Sequence, residues 1–366
     1  MSNTKDKYAA IHYAQYLQLD KILDSQHSRS KDFGEEAHDE MLFIITHQVY
    51  ELWFKQMIHD LTSVASYFDE QVKDVNISKV NHLLNRSIRI VKLMVHQLEI
   101  LETMTPMDFL EFRNYLFPAS GFQSYQFRVA EVLLGLKNEN RITYGGHHYT
   151  TFFEDSQKET LEKLEKGDSL LQLVEKWLER TPFLSYGNFD FLIEYKNSID
   201  KMLSEEKNNI SQTEFLSEKQ KEVRLKMLGD ANTFYQYIFD EKNYEERRAK
   251  GEVRISYKAM QAALFISLYR DYPILQMPYQ VLEKLSELDE FLTLWRFRHS
   301  QMVKRIIGSK IGTGGSVGVN YLLETALKHT IFGDIQAITT LMVPKEDLPV
   351  LPNEIVEKLQ FEYSTR

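Results

Sequence analysis

Apolar residues recur at spacings of three and four along nearly the whole chain, and this pattern constrains the fold more than any other feature of the sequence. With only 15 glycines and 8 prolines in 366 residues, long stretches are unbroken. Leu84, Ile88, Val91, Val95 and Leu98 form one stripe, Met41 to Leu61 carry another, and Leu161 to Leu178, with Glu and Lys on the outer face, read as a third. Period-two alternation is hard to find. Ser256 is placed to cap a helix expected to run to Tyr272 and stop at Pro273. The expectation is an all-α protein, a large helical bundle with a pocket.

The length allows two domains, but no composition shift marks a linker, so residues 1–366 read as a single helical unit. Within it, residues from about 197 to 251 are richer in charge and read as a solvated helical insertion. Residues 344–366 read as a loop and a short, weakly amphipathic helix. The 22 Phe, 20 Tyr and 3 Trp suffice for a sizeable core.

A net charge of −9 without a basic run argues against sequence-independent nucleic-acid binding, which draws on Lys and Arg neutralising phosphates. Zero cysteines exclude disulfides, iron–sulfur clusters, thiolate-bound haem and a cysteine nucleophile. Any metal must rest on His or carboxylate. The amino terminus MSNTKDKYAA has no apolar leader core and no run is long enough to span a bilayer, so a cytoplasmic protein without membrane contact is the expectation.

Two of the 11 histidines sit on apolar stripes. His299 shares a face with Leu288, Phe291, Trp295, Met302 and Ile306, and His47 with Phe43, Tyr50 and Phe54. Spacing alone allows a hydrogen-bonded core histidine at each position. Large aromatics beside both favour a pocket, and histidine is the usual protein ligand of haem iron where cysteine is lacking. After His299 come Gly308, Gly312, Gly314, Gly315 and Gly318, which end the helix and free the backbone to approach a ligand. Thr313 lies in that GTGGSVG loop, which lacks the GxxxxGK[ST] phosphate pattern.

In PMDFLEFRNYLFPASGFQSYQFR, Arg113 precedes a turn of small residues, Ala119, Ser120 and Gly121. It suits either a surface ion pair or a planar clamp on a carboxylate. His38, Asp39 and Glu40 are adjacent, so their side chains diverge on a helix and make no metal triad. His147 and His148 fall in loop-like TYGGHHY and receive no ligand role.

At these residues the chain resembles the tryptophan 2,3-dioxygenase family. The likeness runs through YAQYLQLDKIL, HDEMLFIITHQVYELWFKQ, PMDFLEFRNYLFPASGFQSYQFR, TYGGHHY, VEKWLERTPFL, GEVRISYKAMQAALFISLYRDYP and WRFRHSQMVKRIIGSKIGTGGSVGVNYL, in that order. The resemblance implies one haem b per subunit, with His299 as axial iron ligand, and L-tryptophan and O2 as reactants giving N-formyl-L-kynurenine. It makes His47 the partner of the indole N–H and Arg113 the grip on the substrate carboxylate. It puts Thr313 at the amino-acid head group, Phe43 and Phe109 as aromatic walls, and Ser120 and Gly121 on the oxygen side of the haem. It also implies a homotetramer, a dimer of dimers, in which residues 1–40 form an arm that brings Tyr13 and Tyr16 to a neighbour's site.

Two departures stand out. Ala14 replaces the family's usual glycine, which would matter if that backbone needed positive φ, and Phe109 replaces a tyrosine found in some bacterial members. Three other readings stay open: a haem oxygenase of the same superfamily acting on a substituted indole or another aromatic amino acid, a haem sensor or carrier without turnover, and a helical scaffold without haem.

Overall fold

The computed structural model describes residues 10–69, 74–142, 148–308, 310 and 318–360, and the architecture is all-α. Short turns α1 (Tyr13–Leu17), α2 (Leu19–Ile22) and α3 (Arg29–Asp32) precede two long helices, α4 (His38–Asp69) and α5 (Asp74–Leu101). Then come α6 (Pro106–Phe112), α7 (Tyr125–Leu134), α8 (Asp155–Lys166) and α9 (Leu170–Leu178). Among the described residues, β structure is confined to a hairpin of β1 (Ser185–Tyr186) and β2 (Phe189–Asp190), with Ser185 opposite Asp190 and Tyr186 opposite Phe189. The chain continues through α10 (Phe191–Gln212), α11 (Glu218–Phe239), α12 (Glu241–Ala249), α13 (Tyr257–Leu268), α14 (Pro273–Ile307), α15 (Gly318–Lys328), α16 (Gly333–Ala337) and α17 (Asn353–Leu359).

The helical stripes become the core. In α5, Leu84, Ile88, Val91 and Leu98 are buried and Val95 is half-buried, and α14 lies along this helix and along α15. Each such aliphatic side chain removed from water contributes about 1.5–3 kcal/mol before the entropy of ordering it. One buried cluster runs from Ala37 to Leu359, so α4, α5, α7, α9, α13 and α14 share a single core.

Helix ends differ from the periodicity in two places. The stripe from Leu161 to Leu178 is two helices, because Gly167 and Asp168 interrupt it and Ser169 caps α9 in a reciprocal box with Gln172. Ser256 does cap α13, accepting from Ala259 N at 3.2 Å, but that helix ends at Leu268. Pro273 opens α14 instead of closing α13, since the first turn of a helix needs no amide donor there.

The charged stretch 197–251 is occupied by most of α10 and by α11 and α12. Tyr195, Ile199, Tyr235, Ile238 and Tyr244 are buried, and they seat the segment on the core. Near the carboxyl end, α17 buries Ile355 and Leu359, as its weak amphipathicity suggests. Among the described residues no helix is long and apolar enough to cross a membrane.

Candidate functional site

The histidine stripe of α4 faces a cavity of about 290 Å³ enclosed mainly by α4, α5, α6, α7, α14 and α15, close to the lower end of the roughly 300–1,000 Å³ usual for small-molecule and cofactor sites. Phe43, His47, Tyr50 and Phe54 all line it, as their spacing requires of one helix face. The Phe43 and His47 rings lie 4.1 Å apart. The His47 Nδ1 is 2.7 Å from the Phe43 carbonyl oxygen. A carbonyl only accepts, so Nδ1 carries the proton and donates, leaving Nε2 of the neutral ring as an acceptor toward the cavity. His47 retains open surface, but that surface belongs to the cavity, and desolvation lowers its pKa below the ordinary value.

On the facing helix α14, His299 lines the same cavity with Trp295, Met302 and Ile306. The Trp295 and His299 rings stack at 5.8 Å with 7° between their planes. Trp295 is held by Phe127 at 5.1 Å and by Tyr50 and Phe54, each at 5.9 Å. The Tyr50 hydroxyl donates to Met94 O at 2.9 Å, which fixes α4 to α5. No hydrogen bond to the His299 ring is found among the described residues. Burial, followed by the electrostatic influence of His47, brings its pKa down to about 4, so the ring is neutral with a free lone pair near pH 7.

A third wall comes from α6. Thr105 and Asp108 form its reciprocal cap, and the helix places Phe109 with its ring 5.9 Å from Phe43 and 5.3 Å from Phe112. Arg113 opens the 3-10 turn Arg113–Leu116 directly after α6, and it lines the cavity half-buried. Ser120 and Gly121 line it too, with Ser120 capping the 3-10 turn Gly121–Gln123 through Phe122 N at 3.4 Å.

Tyr13 and Tyr16 are outside the cavity, 70% and 71% exposed on α1. The chain after them is tied down near the site. Glu40 accepts from Arg29 N and Ser30 N, each at 2.9 Å, Gln48 donates to Ser25 O at 2.9 Å, and Phe33 stacks on Tyr115 at 4.9 Å. Glu40 is therefore a structural anchor, consistent with rejecting it as a metal ligand. His148 bonds Thr150 through Nδ1 at 2.6 Å and has no place in the cavity wall. Ala14 sits in helical backbone, and the left-handed residue of this region is Gln18, at φ 52°. Thr313 and His147 lie outside the described residues.

Sequence reasoning passed over several wall residues. Glu51, one turn beyond His47, accepts from the Ser124 hydroxyl at 2.5 Å, and burial raises its pKa. Glu131 on α7 is buried and meets Arg128 at 2.6 Å, Arg141 at 2.7 Å and Arg296 at 3.0 Å. Burial opposes its ionisation, but the three guanidiniums prevail and hold its carboxyl well below the usual range. No spacing rule marks these residues, because they come from α7, a loop and α14. Their signal was only that Arg128 lies in a quoted block and Arg296 beside the stripe of His299.

Among the described residues no three His, Cys, Asp or Glu side chains gather as a metal cluster. One bare imidazole in an aromatic slot suits a metal already held in a flat ring of its own, which asks the protein for a single axial donor. The residues therefore fit a haem, with His299 as the donor.

Fold and site together define a helical-bundle protein whose aromatic cavity sets a bare imidazole on one helix against a carbonyl-pinned imidazole on another. The chain belongs to the tryptophan 2,3-dioxygenase family, whose profile matches residues 2–342. It is 43% identical to tryptophan 2,3-dioxygenase of Bdellovibrio bacteriovorus over 98% of this chain and 100% of that one. The Dictyostelium discoideum tryptophan 2,3-dioxygenase is 46% identical over 97% of this chain and 89% of its own length, and tryptophan 2,3-dioxygenase B of Danio rerio 44% over 94% and 85%.

Proposed function

We propose that this protein is a haem-dependent dioxygenase that inserts both atoms of O2 across the C2–C3 bond of the indole of L-tryptophan, giving N-formyl-L-kynurenine and opening tryptophan breakdown by the kynurenine route. The carrying observation is the pairing of the two cavity imidazoles, one without a hydrogen-bond partner among the described residues and one with its acceptor nitrogen left open. Family membership supports the same reading.

His299 would hold haem b, one per subunit, and the haem supplies activation of O2 when bound. Neutral His47 accepts the indole N–H through Nε2 and fixes the ring's orientation, while the Phe43 and Phe109 rings wall it in and exclude water. Arg113 pairs with the substrate carboxylate, so an indole lacking one forgoes that charge-assisted contact. Ser120 and Gly121 shape the oxygen side, and Thr313 reaches the head group. The subunits assemble as a homotetramer in which Tyr13 and Tyr16 complete a neighbour's site.

Purified protein supplied with hemin should develop a strong Soret band, and His299→Ala should lose it while keeping its helical circular dichroism. The reduced holoprotein, mixed with L-tryptophan and air, should yield formylkynurenine. Absence of product from a fully haem-loaded sample would refute dioxygenase activity. Turnover of substituted indoles in preference to tryptophan would favour the related oxygenase reading.

A further inference from the structure

Arg113 is carried by a weak element. Its 3-10 turn, Arg113–Leu116, is four residues long, and such turns have poorer hydrogen-bond geometry than an α-helix. The front of the turn is fixed, since Phe112 before it is fully buried with its ring 5.5 Å from Phe43. The back is looser: Tyr115 and Leu116 are half-buried, and Phe117 beyond them is 74% exposed.

The amino-terminal segment meets the back of this turn. The Phe33 ring lies flat on Tyr115, with centroids 4.9 Å apart and 10° between the planes, and the Arg29 guanidinium sits 5.8 Å from the Phe33 centroid. Phe33 is 60% exposed, so burial in the core does not hold it there. The segment behind it does. Buried Glu40, at the start of α4, accepts from Arg29 N and Ser30 N, each at 2.9 Å, and so supplies the start of α3 with the cap that the Ser28 side chain does not give. A carboxylate on backbone amides is a charge-assisted anchor, stronger than a neutral bond. Buried Ser30 accepts from Ala37 N at 2.9 Å, which closes the loop between α3 and α4 on itself. Gln48, next to His47 in the chain, accepts from Gln26 at 2.6 Å and donates to Ser25 O at 2.9 Å.

We propose that residues 25–40 brace the carboxylate grip: Phe33, held by the Glu40 anchor, stacks on Tyr115 and fixes the turn that aims Arg113 at the substrate carboxylate. Neither Phe33 nor Tyr115 lines the cavity, so both are positioning residues. Stacked rings are directional as well as attractive, and the stack therefore limits how the turn can rotate. Without it the guanidinium is less well placed, which costs carboxylate affinity and spares the indole half held by His47, Phe43 and Phe109. This inference rests on the assignment of Arg113 to the substrate carboxylate.

The test uses the haem-loaded enzyme and compares L-tryptophan with tryptamine, which lacks the carboxylate. Dissociation constants are read from the Soret shift on binding, alongside KM and kcat for tryptophan. Wild type should bind L-tryptophan the more tightly. Phe33→Ala should weaken L-tryptophan roughly three- to tenfold, as expected for one aromatic pair, leave tryptamine unchanged, and raise KM with little change in kcat. Phe33→Tyr keeps the ring and should restore wild-type affinity. Tyr115→Leu should reproduce the effect, and the double variant should go no further than either single one. Phe33→Leu carries the same comparison if Phe33→Ala does not fold. Equal weakening of both ligands, unchanged affinity for both, or additive effects in the double variant would overturn the proposal. A smaller oligomer in Phe33→Ala would also overturn it, assigning the ring to a subunit contact. If wild type binds L-tryptophan no more tightly than tryptamine, the assignment of Arg113 itself fails, and the brace with it.

Discussion

His47 and His299 have the same side chain on the same kind of apolar stripe, yet their nitrogens are prepared differently. His47 spends its Nδ1 proton on the Phe43 carbonyl, whereas the His299 ring stacks on Trp295 and has no hydrogen bond among the described residues. Burial makes His299 a weak base, and His329, whose Nε2 accepts from Ile142 N at 3.1 Å, is likewise brought to about 4. An unfolded chain protonates both near the ordinary 6.5, so their neutral burial costs nothing above that pH. As pH falls from 6.5 toward 4 the unfolded state takes up protons first and stability is lost, and below about 4 the loss levels off. The haem-free protein should therefore be less stable at about pH 5.5 than at about pH 7 by roughly 2 kcal/mol from these two rings. Urea midpoints measured on the haem-free and haem-loaded forms check this. A ligated His299 stays neutral in the folded state as well, so both forms should lose about the same between these pH values and should part only below about pH 4, where the haem-free ring protonates and a ligated one does not. Both positions were legible as inward histidines. Which nitrogen each leaves free was not, because that depends on a carbonyl and a ring brought alongside by the fold.

At the scale of elements, periodicity located most helices and missed where some of them stop. Helix ends are set by single residues whose amides or side chains find partners, and a stripe of apolar spacing does not register them. Pro273 illustrates this: the same residue can follow one helix or begin the next, and the packing of α14 along α5 chose the second. The end of α7 is fixed by Gly135, at φ 131°, where an added Cβ would stand 3.0 Å from Leu171 Cβ and 3.3 Å from Ser169 Oγ. Its carbonyl accepts from Arg254, which also bonds Thr330 O and Ile331 O. Gly135→Ala combines backbone strain with a clash against the start of α9, and a loss of about 1–3 kcal/mol is expected in chemical denaturation. A change below about 0.5 kcal/mol would mean that α9 moves away at little cost.

For the whole molecule, the arm is the part that a single chain leaves unfinished. Residues 25–40 are stitched to α4 and to Tyr115, while Ile11, Tyr13, Tyr16 and Leu23 remain exposed. Apolar side chains held out from an anchored base favour burial against another copy. For the proposed homotetramer, light scattering should give the mass of four chains. Replacing Tyr13 and Tyr16 together by Ser should raise the KM for tryptophan several-fold with hemin occupancy unchanged, and a fully active monomer would contradict the shared site.

The sequence by itself determined the helical class, the inward faces of His47 and His299, and the aromatic stretch around Phe109 and Arg113. Each follows from spacing along one helix or from a contiguous block of residues, and such local information survives without coordinates. Only the tertiary structure decided that these faces meet in one cavity, that His47 offers Nε2, and that Glu131 gathers Arg128, Arg141 and Arg296 from three separate segments. Charge balance in a buried site depends on distances between residues far apart in the chain, and those distances exist only once the helices have packed.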